Sequence, residues 1–73
     1  MSEILLDVRG LMPPEPLERV MDALDLLTPA NRIVMLIDRE PVPLYRILER
    51  NGYHYRAVAQ DSGVYRLEIT VAG

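Results

Sequence analysis

Two segments of this chain begin in the same way, and that repeat constrains the fold more than any other feature. Pro14-Glu15-Pro16-Leu17-Glu18-Arg19-Val20-Met21 and Pro41-Val42-Pro43-Leu44-Tyr45-Arg46-Ile47-Leu48 share the pattern P-x-P-L-x-R-aliphatic-aliphatic. An aspartate closes the apolar run before each one, Asp7 and Asp38, and the first connection is four residues longer than the second. Pro16 and Pro43 suit the first helical position, where φ is already right and the missing N–H has no intrahelical partner to lose. Pro14 and Pro41 hold the entering chain extended. The repeat therefore predicts two strand–helix units, each with a proline-stiffened joint.

The periodicity around these joints supplies the other elements. Ile4-Leu5-Leu6-Asp7-Val8 is short, apolar and closed by Arg9-Gly10, which predicts a strand buried on both faces. Leu17, Val20, Met21, Leu24 and Leu27 follow the i, i+3, i+4, i+7 spacing of one helical face, with Glu18, Arg19, Asp22 and Asp25 off it. Thr28-Pro29-Ala30-Asn31 stops that helix. Ile33-Val34-Met35-Leu36-Ile37 is a second, central strand closed by Asp38. A shorter helix follows with Leu44, Ile47 and Leu48 inward, and Gly52 behind Asn51 is its C-terminal cap. The remainder is a hairpin, Tyr53 to Gln60 and Val64 to Val71, turned at Asp61-Ser62-Gly63. Tyr65, Leu67, Ile69 and Val71 alternate with Val64, Arg66, Glu68 and Thr70.

The expected order is β-α-β-α-β-β, an α/β (α+β) two-layer sandwich. Right-handed crossovers place both helices on one face of a four-stranded sheet. Arg66, Glu68 and Thr70 suit the uncovered face. Ile33, Met35 and Ile37 leave the central strand apolar on both sides. Either the open sheet face is a homodimer surface, or these are isolated exposed aliphatics of the ordinary kind.

With 73 residues, the chain fits one domain spanning 1–73. It has no cysteine, which excludes thiol nucleophiles, persulfide carriage, iron–sulfur ligation and thiolate zinc. The net charge is −3 and all eight basic residues are dispersed arginines, which argues against nucleic acid as a partner. No apolar run reaches the roughly 18–20 residues of a membrane span. No basic start and long apolar stretch marks a signal peptide, so a cytoplasmic location is the expectation.

Both helix starts fall at the carboxyl end of the first two strands, where open α/β sheets usually bind ligands. Arg9, Met12, Pro13, Glu15, Asp38, Arg39 and Glu40 make up that edge and are the candidate binding residues. Acids in a first helical turn complement the helix dipole, and an anion site is the competing reading. His54, the single histidine, begins the third strand at the far end of the sheet, which leaves it poorly placed to share a metal with Asp38 and Glu40. No metal or other cofactor is expected. Ser2 and Ser62 have no base beside them, so no catalytic residue is assigned on that ground. Asp7 and Asp38, at neighbouring strand ends, are the one pair suited to acid–base work, with ordinary capping as the simpler reading.

Leu6-Asp7-Val8-Arg9-Gly10-Leu11-Met12-Pro13-Pro14-Glu15-Pro16 resembles the signature L-D-x-x-G-L-x-C-P-x-P of the TusA/SirA-like sulfur-carrier family, with Leu6, Asp7, Gly10, Leu11, Pro14 and Pro16 matching. Asp61-Ser62-Gly63-Val64-Tyr65-Arg66-Leu67 is similar to that family's last hairpin. The resemblance implies a mixed sheet whose last strand lies antiparallel between the second and third. The family's sulfur-carrying cysteine falls on Pro13, so its persulfide chemistry does not carry over. Asp38-Arg39-Glu40-Pro41-Val42-Pro43-Leu44 resembles the D-x-[DE]-P-x-P-L of a cysteine-free, largely uncharacterised branch. Relatives in that branch sometimes stand beside hemerythrin-like domains, an analogy that points to redox or nitrogen-oxide physiology.

Three functions are consistent with these residues. The first is a non-catalytic interaction or regulatory module that takes a protein partner or small ligand on the proline-stiffened edge. The second is an accessory protein of sulfur or redox metabolism that binds a sulfur-handling partner. The third is an acid–base enzyme using Asp7 and Asp38.

Overall fold

The computed structural model describes residues 2–72. Its elements run β1 (Ser2–Asp7), α1 (Glu15–Leu24), β2 (Asn31–Ile37), α2 (Val42–Arg50), β3 (Tyr53–Ala59) and β4 (Tyr65–Val71), with a single 3₁₀ turn at Asp61–Gly63. The four strands form one mixed sheet in the order β1-β2-β4-β3. β1 and β2 are parallel, while β4 lies antiparallel between β2 and β3. This is the expected β-α-β-α-β-β two-layer arrangement.

Register fixes which side chains meet the helices. Ile33 pairs with Ile4 and Ile69, Met35 with Leu6 and Leu67, and Ile37 with Tyr65. These rows, with Val8, form the floor of the core; Val20, Ala23 and Leu24 of α1 and Leu44 and Leu48 of α2 close it from above. No polar side chain is buried among the described residues. Ile33, Met35 and Ile37 thus belong to the core, and the open face instead carries Leu5, Val34, Leu36 and Val58. An ion-pair network crosses that face: Arg32 reaches Glu3 through Nε at 3.0 Å and Glu68 through Nη1 at 3.1 Å, and Arg66 also pairs with Glu68.

Four local expectations are corrected. β1 is an edge strand, so it is not buried on both faces: Ile4, Leu6 and Val8 turn inward while Leu5 is 75% exposed. In α1, Leu17 and Met21 are 37% and 41% exposed, and Ala23 takes the inward place beside Val20 and Leu24. The helix also ends sooner than the apolar spacing suggests. Asp25, Leu26 and Leu27 bond back three residues, to Asp22, Ala23 and Leu24, so the last turn tightens into 3₁₀ geometry. Finally, Pro14 and Pro41 are the N-caps, which puts Pro16 and Pro43 at the second helical position. The amide missing there has no intrahelical partner either, so the proline is equally tolerated.

Among the described residues, no helix is long and apolar enough to cross a membrane.

Candidate functional site: a proline-walled groove

The two repeats meet in space. Pro13, Pro14, Pro16, Leu17 and Val20 form one wall of a groove, and Pro41, Pro43 and Leu44 form the other. Met35 and Ile37 of β2 make its floor, and Arg39 is the charged residue on its rim. The groove encloses about 280 Å³ and its lining is almost entirely apolar. That is at the lower end of the range for small-molecule sites. Leu17 and Leu44 hold the same place in the repeat and face the groove from opposite sides.

The helix starts here differ from an anion cradle in one decisive respect. Anion sites at helix N-termini depend on free amide donors as well as the dipole. Pro14, Pro16, Pro41 and Pro43 have no N–H. The Glu15 amide bonds to Met12 O at 2.9 Å, Val42 to Glu40 O at 2.9 Å, and Leu44 to Pro41 O at 3.0 Å. Prolines and local backbone bonds thus remove or occupy most of the first-turn donors, which favours an apolar occupant.

The seven candidate residues do not form one cluster. Pro13 and Arg39 line the groove, and Met12, next to Pro13, is 74% exposed. Arg9 faces a separate recess with Leu36, Gln60, Asp61, Ser62 and Val64 on the open side of the sheet. Its guanidinium is held by Asp7 through Nε–Oδ1 at 2.9 Å and Nη2–Oδ2 at 2.7 Å. Asp38 accepts from the Gly10 amide, Glu40 from the Tyr45 hydroxyl at 3.5 Å, and Glu15 lies 3.8 Å from Arg19. Arg39 makes no ion pair among the described residues. Leu17, Val20, Met35, Ile37 and Leu44 also line the groove but read in sequence as core residues. The doubled proline run was the one signal that could have exposed their second role.

Hydrogen bonds from the Arg9 side chain and amide, joined by its charge, hold the Asp7 carboxyl down at about 2. The shift runs opposite to that required of a general acid near neutrality, so the Asp7–Asp38 geometry reads as loop anchoring. His54 is exposed at the start of β3, at the end of the sheet away from the groove. No group of three or more metal-ligating side chains occurs among the described residues.

The chain matches the family described as "Uncharacterized conserved protein (DUF2249)" over residues 5–71. It belongs to that family. This DUF2249 chain is also similar to the crystal structure of a SirA-like protein from Desulfitobacterium hafniense, with a TM-score of 0.79 and 28% identity covering 100% of both chains. No curated protein matches it. The SirA-like fold is thus present in a DUF2249 member without cysteine, and Pro13 is one of its groove-lining residues.

Proposed function

We propose that this chain is a non-catalytic binding module on a sulfur-carrier-like scaffold, and that its working surface is the proline-walled groove with the adjoining Met12–Arg39 rim. The observation that carries this reading is the position of Pro13. At the place where sulfur carriers hold a thiol, this chain has an inert ring that forms part of an apolar wall. Proline-fixed joints lose little conformational entropy when a partner seats on them. The groove's size suits one apolar side chain, or a small apolar group, projecting from a partner whose polar rim meets Arg39.

A second reading names the kind of partner. Full-length similarity to a SirA-like protein supports a role beside sulfur-handling or redox proteins, in which the module binds a component that cysteine-bearing relatives also bind.

Site-specific photocrosslinking in cells of the source organism tests both readings. A photoreactive residue at Met12 or Arg39 should yield a discrete adduct with one protein, whereas the same residue at Leu5 or Val58 on the open face should not. Adducts formed from the open face alone would refute the groove. An adduct that a cysteine-bearing relative also forms favours the second reading, and one it does not form favours the first alone.

A further inference from the structure

The outer surface of the helix layer has a charge pattern that the groove does not use. α1 turns Val20, Ala23 and Leu24 toward the sheet. At about 100° per residue, Glu15, Glu18, Asp22 and Asp25 fall on the opposite, outward ridge. α2 turns Leu44 and Leu48 inward, which places Arg46 and Arg50 on its outward ridge. The single acid of α2 is drawn elsewhere: Glu49 accepts from the Tyr55 hydroxyl, and Tyr55 stacks on Tyr45 at the β3 edge with ring centres 4.8 Å apart. Among the described residues, Glu18, Asp22, Asp25, Arg46 and Arg50 take part in no ion pair. Between the ridges runs a valley flanked by Leu17 and Met21 on one side and Pro43 and Ile47 on the other.

We propose that this helix layer is a self-complementary surface on which a second copy of the chain docks about a two-fold axis running along the valley. The inference goes beyond the groove reading, because the charged ridges lie outside the groove; Leu17 and Pro43 belong to both surfaces, so a second copy and a groove partner compete for this face. A peptide of one charge sign would be attracted to one ridge and repelled by the other. A second copy offers both signs in the right order. A two-fold axis along the valley lays α1 of each copy over α2 of the other, whereas one across the helices would set acids against acids. The internal repeat also supplies the register. Because Arg19 and Arg46 are equivalent positions, Arg46 falls level with the gap between Glu18 and Asp22, and Arg50 with the gap between Asp22 and Asp25. Leu17, Met21 and Ile47 then meet across the centre, in the polar-rimmed, apolar-centred layout of specific interfaces. The molecule extends 32 × 22 Å across its two longer axes, which limits such an interface to the lower part of the usual range of about 1,200–2,000 Å². The dimer is therefore reversible and weakened by salt. Because both copies keep the same direction along the axis and the groove opens between the two helices, the two grooves face each other at one end of the interface.

Sedimentation equilibrium of the purified chain tests this. At low ionic strength the mass should rise with concentration from the 8.3 kDa monomer toward twice that value. The variants Arg46→Glu/Arg50→Glu and Glu18→Lys/Asp22→Lys should each associate at least about tenfold more weakly, with circular dichroism unchanged. An equimolar mixture of the two should recover the dimer, because each then supplies the charges the other lacks. Intermolecular NOEs between the methyl groups of Met21 and Ile47 in a mixed-label sample read the same contact without mutation. A wild-type chain that stays monomeric would overturn the proposal, as would a dimer that both variants retain.

Discussion

Asp38 accepts a hydrogen bond from the backbone N–H of Gly10 at 2.8 Å, so the end of β2 holds the loop that leads into α1. Gly10 sits at φ +79°, a conformation that costs a residue with a Cβ but not glycine. The two repeats are thus joined by a contact between their equivalent loops, and that contact sets the spacing of the groove walls. Asp38→Ala should lower stability by about 1 kcal/mol, while Asp38→Asn, which keeps an acceptor oxygen, should lose less. Urea denaturation of the two variants measures the difference.

The groove-facing leucines are not energetically equivalent, despite their equivalence in sequence. Leu44 is 4% exposed, and Leu44→Ala should cost about 2–5 kcal/mol. Leu17 is more than a third exposed, so Leu17→Ala should cost clearly less, roughly 1 kcal/mol. Comparable losses at both positions in equilibrium unfolding would show that the groove is closed in solution.

Asp7 titrates at about 2 in the folded chain, against an ordinary 3.8, because Arg9 hydrogen-bonds to its charged form. A folded pKa below the unfolded one contributes stability above pH 4, and that contribution is lost as pH falls from about 4 toward 2. Arg9→Ala should return the carboxyl toward 3.8 and flatten this part of the acid-stability curve. Carboxyl carbon NMR titration of the wild type and Arg9→Ala reads the shift directly.

Tyr55 behaves in the opposite sense. Its hydrogen bond to Glu49 stabilises the neutral phenol and pushes its pKa up to about 12 from 10. The raised folded value contributes stability below pH 10 that disappears as pH climbs through 12. Glu49→Gln should bring the ultraviolet phenolate transition of Tyr55 back toward 10.

Element order, the hairpin alternation and both helix starts were legible because they depend on local periodicity and on proline chemistry. What failed to show depends on tertiary position. Ile4 to Val8 is apolar except for Asp7, yet the strand lies at the sheet edge, and a run of aliphatics does not by itself distinguish an edge strand from a central one. Met21 has helical spacing for the core, but α1 is rotated so that Ala23 fills that place. The groove was hidden for a related reason: Leu17, Met35 and Leu44 carry core chemistry, and only the meeting of two proline runs from distant parts of the chain leaves a gap over them. Of the candidate edge residues, Pro13 and Arg39 reach that gap. Arg9 does not, because it follows the inward-facing Val8 and so projects from the other side of the sheet.

The measurement that bears most directly on the binding-module account is the affinity of the crosslinked partner for two paired variants. Met12→Asp/Arg39→Glu alters the groove rim, and Leu5→Asp/Val58→Asp alters the open sheet face. The account predicts at least about a tenfold loss for the rim pair and wild-type affinity for the open-face pair. Unchanged binding by the rim variant, with loss confined to the open-face variant, would contradict it.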